Sequence, residues 1–155
     1  MRGFRRTRVL FVCLGNSCRS PMAEAIAAHI ASDVMEVSSA GLAAIGCVQS
    51  LTKLTLEKNG YPADGLQSKP LGAGDLETAD IVVNMTGRPD FALFQDLAKV
   101  EDWNVEDPYG AGVETYQRVF EDIESRVALL ISRVRESIAR EFTAREVREK
   151  GAGQR

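Results

Sequence analysis

Short apolar runs alternate with amphipathic stretches along the chain, and this alternation predicts strands followed by helices. Apolar runs predict buried strands at 7 to 13 and 81 to 85, and two further strands are predicted at 34 to 39 and near 99 to 103. Apolar spacing and helix stop signals predict helices over 20 to 32, 51 to 59 and 89 to 98, and a last one from Val113. Strands that alternate with helices indicate a doubly wound α/β fold with a parallel sheet, which binds ligands at the carboxyl ends of its strands.

The last helix has the most regular pattern. Its apolar positions are Val113, Tyr116, Phe120, Ile123, Val127, Leu130, Val134 and Ile138. The chain has 155 residues and is 45% hydrophobic, enough for a single domain over 1–155 with one core. We expect a basic N-terminal arm over 1–6 and a charged, solvated helical extension with a frayed end over about 143–155.

A short loop joins the first predicted strand to the first helix, and it carries the candidate chemistry. Cys13 ends the apolar run, and Arg19 follows after five residues. Ser20 suits the N-cap of the helix, and Pro21 suits its first turn. Loop amides, the helix dipole and the Arg19 guanidinium together favour an oxyanion. The same positive field favours the thiolate of Cys13, so the loop predicts nucleophilic attack on phosphorus.

A nucleotide-binding loop, an inert cysteine and a metal site all fit this segment less well. It lacks the lysine of a nucleotide-binding G-x-x-x-x-G-K-[ST] loop, and no G-x-G-x-x-G follows the strand. A buried inert cysteine would not require Arg19 at a helix start or the Gly15-Asn16 pair. The single histidine, His29, lies inside a predicted helix, so neither a Cys/His dyad nor a metal site is expected.

Composition narrows the class of partner and the compartment. The net charge of −3 argues against a nucleic-acid partner. The apolar runs are too short for a membrane span or a signal-peptide core. The three cysteines do not form an even disulfide framework. We therefore expect a cytoplasmic protein.

A second candidate element is the turn-rich loop over 104 to 112. Pro108 disfavours the helical region for Asp107 and holds it extended. An Asp-Pro pair alone is commonly a surface turn. Together with the Cys13 loop, it makes Asp107 the candidate general acid.

The run from Cys13 to Pro21, followed by Met22-Ala23-Glu24, resembles the signature of the low-molecular-weight protein tyrosine phosphatases. Further likeness lies in Ser39-Ala40-Gly41, in Ala79 to Met85 and in Asp107-Pro108-Tyr109-Gly110. The resemblance implies a small domain with a four-stranded parallel sheet and a phosphocysteine intermediate, without a metal or organic cofactor. The expected partners are a phosphorylated protein and inorganic phosphate or another oxyanion.

The resemblance also implies roles for individual residues. The catalytic residues would be Cys13, Arg19 and Asp107, and the phosphate or substrate would contact Leu14, Gly15, Asn16, Ser17, Cys18, Ser20 and Tyr109. Asn16 would brace the loop, and Ser20 would hydrogen-bond the sulfur of Cys13. Cys18 would either form a protective disulfide with the nucleophile or simply pack as a small residue.

Phosphotyrosine and phosphoarginine, the substrates of two branches of this family, are nearly balanced as candidate substrates. Ser17 stands where tyrosine phosphatases usually have a bulky aliphatic residue and where arginine phosphatases have Thr. Met85-Thr86 and the absence of aromatic residues from 42 to 50 also favour phosphoarginine. Family frequency favours phosphotyrosine, our first interpretation, with Tyr109 as an aromatic wall for either substrate.

Two further interpretations belong to other classes. Related arsenate reductases share this loop, but they need cysteines near 80 to 90, and this chain has none after Cys47. A phosphoprotein-binding module would not need Cys13, Arg19 and Asp107 together.

Overall fold

The computed structural model describes residues 4–88 and 97–154. In chain order its elements are β1 (Thr7–Cys13), α1 (Arg19–Ile30), β2 (Met35–Gly41), α2 (Ser50–Lys58), α3 (Ala73–Thr78), β3 (Ile81–Asn84), β4 (Val100–Asp102) and α4 (Val113–Ala152). A 3-10 turn at Leu97–Lys99 precedes β4. The helix predicted over 89 to 98 falls mainly on residues 89–96, which lie outside the described residues.

The four strands form one parallel sheet in the order β2-β1-β3-β4. In this register Cys13 pairs with Gly41, and Asn84 lies between Val12 and Asp102. The predicted parallel, four-stranded α/β domain is confirmed. The pairing brings the carboxyl ends of the strands to one edge, where the loop after Cys13 begins.

Alternate side chains of β1 pack on opposite faces of the sheet, which explains its continuous apolar run. Phe11 and Cys13 join the larger core, beneath α1, α2 and α4. Leu10 and Val12 join a smaller cluster, together with Leu76 of α3. Helices therefore cover both faces, and β1 is buried from Val9 onwards.

The start of α1 differs from the prediction. Cys18 is the N-cap residue, and Ser20 is the second residue of the helix. The prediction of Ser20 as the N-cap was wrong, because its hydroxyl contacts the sulfur of Cys13 at 2.8 Å instead of capping the helix. The helix also ends at Ile30, two residues before the predicted end.

The last helix, α4, runs without interruption from Val113 to Ala152. Its inward face is buried as far as Val134, and Ile138 is partly buried against the core. Beyond this point the face is exposed, as Phe142 shows with 53% exposure. The helix therefore continues through most of the predicted charged extension.

Residues 4–88 and 97–154 contain neither a membrane-spanning helix nor a cluster of metal ligands. None of the helices there combines the length and the apolar character needed to cross a membrane. In the same ranges, no group of three or more His, Cys, Asp or Glu side chains could hold a metal ion.

Candidate active site

Cys13 lies at the carboxyl end of β1, where the chain leaves the sheet. Its side chain is buried, and its sulfur lies 2.8 Å from the hydroxyl oxygen of Ser20 on the first turn of α1. The thiol thus faces the start of a helix, whose dipole and free amides favour negative charge.

The peptide groups of the loop are oriented with their carbonyls pointing outward. Hydrogen bonds from the next segment reach the carbonyls of Cys13 (from Leu42, 3.1 Å), Leu14 (from Ala43, 2.8 Å), Gly15 (from Ile45, 3.1 Å) and Ser17 (from Gln49, 3.0 Å). Within the described part of the chain, the amides of residues 14 to 19 donate to no protein group. These N–H groups are therefore available to an anion.

Asn16 holds this loop conformation from its centre. It has a positive φ of 46°, a conformation that Asn tolerates better than most residues. Its Oδ1 accepts a hydrogen bond from the Lys69 amide at 2.9 Å, which fixes the orientation of the side-chain amide. Its Nδ2 then donates to Ser20 Oγ at 2.7 Å and to Ser39 Oγ at 2.9 Å.

This network also orients the Ser20 hydroxyl. Since Ser20 Oγ accepts from Asn16, its own hydrogen is free to point at the sulfur of Cys13, where it stabilises a thiolate. Ser39 Oγ in turn donates to the carboxylate of Glu24 at 2.6 Å. A continuous chain of hydrogen bonds thus runs from Glu24 through Ser39, Asn16 and Ser20 to the sulfur of Cys13.

Arg19 is the first residue of α1, and its side chain crosses to the far side of the site. It is only 6% exposed. Its Nη1 donates to the carbonyl oxygens of Met85 at 2.7 Å and Val105 at 3.3 Å. Its Nη2 lies 3.4 Å from Asp107 Oδ2. The guanidinium is therefore held in one plane and can bind an oxyanion through its remaining donors.

The loop before α4 brings Asp107 to this side of the site. Asp107 Oδ1 accepts a hydrogen bond from the Tyr109 amide at 3.1 Å, a local turn that sets the carboxyl direction. The carboxyl is half-exposed, and the Tyr109 side chain is 60% exposed. The Asp107 carboxyl is therefore accessible from solvent while it lies beside the Arg19 guanidinium.

Ser17 and Cys18 are both buried. Cys18 Sγ lies 3.3 Å from the hydroxyl of Tyr116 on α4 and 3.6 Å from Ser17 Oγ. Burial, followed by the contact with Cys18, raises the pKa of Tyr116, so this hydroxyl stays protonated and neutral. Cys13, Cys18 and Cys47 are all free thiols.

The structure brings Cys13, Arg19 and Asp107 to one site. Sequence reasoning missed the residues that support them: Glu24, Ser39, Gly41, Lys69, Met85, Val105 and Tyr116. A signal for four of them was present, because Glu24, Ser39, Gly41 and Met85 stand in the segments that resemble the family, although no role was predicted for them.

Gly41 supports the loop by having no side chain. A Cβ there would lie 2.8 Å from both the Asn16 nitrogen and the Leu14 oxygen. The end of β2 and the loop after Cys13 therefore pack in direct backbone contact.

The family model described as "Low molecular weight phosphotyrosine protein phosphatase" matches residues 8–142. The chain belongs to this family. In agreement, a low-molecular-weight protein tyrosine phosphatase from T. tengcongensis has a crystal structure that aligns with a TM-score of 0.74 at 32% identity, covering 82% of this chain and 99% of that one. The resemblance inferred from the loop is thus confirmed.

Relatives in this family are named for different activities. A protein-arginine-phosphatase from Geobacillus stearothermophilus is 32% identical over 149 residues, covering 86% of this chain and 97% of the relative. A glutaredoxin arsenate reductase from Synechocystis sp. is 31% identical over 131 residues, covering 82% of this chain and 98% of the relative. The family is one of phosphatases.

Proposed function

We propose that this protein is a cysteine-dependent protein phosphatase that works through a phosphocysteine intermediate. One observation carries the proposal. The Cys13 thiol, the Arg19 guanidinium and the Asp107 carboxyl converge on a loop whose amides have no acceptor in the described part of the chain. This arrangement suits a phosphoryl group: its negatively charged oxygens would be bound by the loop amides and Arg19, and its phosphorus would be attacked by the Cys13 sulfur.

In the first step, the Cys13 thiolate attacks phosphorus, and the bond from phosphorus to the leaving group breaks. Arg19 and the loop amides stabilise the charge on the equatorial oxygens. Asp107, in its protonated form, gives its proton to the leaving oxygen or nitrogen, a contribution of about 10²–10⁴-fold. The products are the dephosphorylated side chain and S-phosphocysteine.

In the second step, water attacks the same phosphorus, and the sulfur–phosphorus bond breaks. The Asp107 carboxylate takes the proton from water. The electron pair returns to sulfur, where the Ser20 hydroxyl supports the thiolate. Inorganic phosphate leaves, and Asp107 is again protonated for the next turnover.

Phosphotyrosine is the first candidate substrate. The exposed ring of Tyr109 belongs to the same loop as Asp107 and can stack on a phenyl group. Ile45 is also exposed and lies beside Gly15, which belongs to the proposed phosphate loop over residues 14 to 19. Both side chains offer exposed apolar surface to an aromatic phosphoester.

Phosphoarginine is the second candidate. Ser17 keeps a hydroxyl at the position where the arginine branch carries Thr, and residues 42 to 50 contain no aromatic side chain. The relative named protein-arginine-phosphatase is as similar, at 32% identity, as the T. tengcongensis tyrosine phosphatase. A guanidinium also stacks on a tyrosine ring, so Tyr109 serves this substrate equally well.

The deciding experiment compares phosphate release from a phosphotyrosine peptide and a phosphoarginine peptide of the same sequence, under reducing conditions at neutral pH. Wild type is expected to turn over at least one of them, with a burst of leaving group equal to the enzyme concentration. Cys13→Ser should abolish turnover and keep phosphate binding. Cys47→Ser, which changes an exposed thiol, is the matched control and should retain wild-type rates.

Three outcomes would change the assignment. Turnover by Cys13→Ser at the wild-type rate would reject Cys13 as the nucleophile. Thiol oxidation that depends on arsenate and is lost in Cys47→Ser would favour arsenate reduction. Stable peptide binding without phosphate release would favour a binding module. Because the phosphatase mechanism needs a free thiolate at Cys13, the proposal also places the protein in a reducing compartment, the cytoplasm.

A further inference from the structure

Asn84 is a buried polar residue near the site. It belongs neither to the phosphate loop nor to the acid loop, the segment over 104 to 112 that carries Asp107. It is the last residue of β3 and is 2% exposed. A side-chain amide in such a place needs hydrogen-bond partners, since an unpaired one is costly to bury.

The side chain of Asn84 makes four hydrogen bonds, which use both donors and both acceptor positions of the amide. Its Oδ1 accepts from the Thr86 amide at 3.0 Å and from Thr86 Oγ1 at 2.6 Å. Its Nδ2 donates to the Arg88 carbonyl at 3.0 Å and to Asp102 Oδ1 at 2.8 Å. The first three bonds fix the turn after β3, and the fourth ties that turn to the end of β4.

These two segments carry the carbonyls that hold Arg19. Met85, the residue after Asn84, accepts from Arg19 Nη1 at 2.7 Å. The Trp103 amide donates to the Asn84 carbonyl at 2.9 Å, and Val105, two residues further on, accepts from the same Nη1 at 3.3 Å. Asn84 therefore lies at the junction between the two acceptors.

We infer that Asn84 is a positioning residue that sets the spacing of these two carbonyls and thereby aims the Arg19 guanidinium at the bound oxyanion. This inference rests on the proposed function, in which Arg19 binds phosphate oxygens. If the two carbonyls move apart, the Arg19 guanidinium loses one of its acceptors. The Asp107 carboxylate, which lies 3.4 Å from Arg19 Nη2 in the native structure, then competes with the oxyanion for the guanidinium. Oxyanion affinity then falls, although the nucleophile and its loop are untouched.

The test measures inorganic phosphate binding by calorimetry and kcat/KM on an aryl phosphate, using the full-length protein. Asn84→Val keeps a strand-forming residue beside Val82 and Val83 and removes all four hydrogen bonds. We expect phosphate affinity to fall about tenfold or more, the scale of one weakened hydrogen bond to a charged group. Alkylation of Cys13 by neutral iodoacetamide should keep its wild-type rate.

Two further variants separate positioning from stability. Leu130→Ala opens a cavity in the core of α4 and should lower the melting temperature while phosphate affinity stays unchanged. Asn84→Asp places one new carboxylate face to face with the carboxylate of Asp102, and this variant should bind phosphate most weakly. Adding Asp102→Asn restores a hydrogen bond between these positions, so the double variant should recover most of the affinity.

The outcomes are distinguishable. Wild type that binds no phosphate would overturn the proposed function and this inference with it. If wild type binds phosphate and Asn84→Val binds it equally well, the role of Asn84 is only structural, and the inference alone fails. Failure of Asp102→Asn to rescue Asn84→Asp would also reject it.

Discussion

Adding one methyl group at Gly41 is expected to disable the site while the fold survives. Gly41 has an ordinary negative φ, so alanine is compatible with its backbone conformation. The difficulty is space, because the new Cβ would lie 2.8 Å from the Asn16 nitrogen, 2.8 Å from the Leu14 oxygen and 2.9 Å from the Asn16 Cβ. Most of these are main-chain atoms, which cannot rotate away.

The size of the effect follows from this geometry. Comfortable contacts are about 3.5 Å, so the loop must retreat by roughly 0.7 Å. Gly41 itself cannot move easily, because its amide donates to the Lys69 carbonyl at 3.0 Å and its carbonyl accepts from the Leu71 amide at 2.9 Å. The loop therefore takes up the displacement. Since a 1 Å misplacement costs about 10²-fold, we expect kcat/KM to fall roughly 10- to 100-fold.

In Gly41→Ala the free energy of unfolding should change by a smaller factor than kcat/KM. Overpacking costs about 1–3 kcal/mol, which corresponds to a melting-temperature decrease of roughly 2–12 °C in a domain of this size. The matched control is Gly74→Ala on α3, where an added Cβ meets no atom within 4 Å. This variant should keep wild-type kcat/KM and be equally or more stable, because alanine favours a helix.

The assay pairs kcat/KM and phosphate inhibition with thermal unfolding for both glycine variants. Gly41→Ala with wild-type kinetics would show that the loop does not depend on close contact with β2. Equal loss of activity in Gly74→Ala would show that the assay reports general damage.

Three more predictions concern the acid, the specificity residue and an ion pair far from the site. Asp107→Asn should slow aryl phosphates with poor leaving groups by about 10²–10⁴-fold and good ones much less, and a uniform loss would exclude Asp107 as the acid. Ser17→Ile should raise the phosphotyrosine to phosphoarginine ratio of kcat/KM, and an unchanged ratio would remove Ser17 as a specificity residue. The hydrogen bond from Arg5, followed by that from the Arg8 amide, holds the pKa of Asp80 below its usual range. Its stabilisation is thus present above about pH 4 and is lost as the pH falls through the folded-state pKa, so Asp80→Asn should unfold more easily than wild type at pH 7 and equally at strongly acid pH.

Local sequence was sufficient to predict much of this protein. The apolar run before Cys13 indicated a buried strand because a central parallel strand must be apolar on both faces. The unit of Cys13, short loop and Arg19 predicted an anion site because strand ends and helix starts leave amide groups unpaired. The acid loop was predicted through Asp107-Pro108, whose backbone preference is also local.

The three-dimensional structure alone decided what holds these groups in place. Met85 and Val105 bind Arg19 through their carbonyl oxygens, which every residue type possesses, so no side-chain pattern could reveal them. Gly41 opposes the phosphate loop only because the parallel register pairs it with Cys13. Ser20 suited an N-cap by its local preference, yet its hydroxyl contacts the sulfur of Cys13 instead.

The chemistry of the site was therefore determined by a few residues close together in sequence, and its geometry by contacts between distant ones. Asn84 illustrates the division, since its link to Asp102 depends on how β3 and β4 align. Residue preferences act over a few positions along the chain, whereas register and packing depend on the whole core, which exists only once the chain has folded.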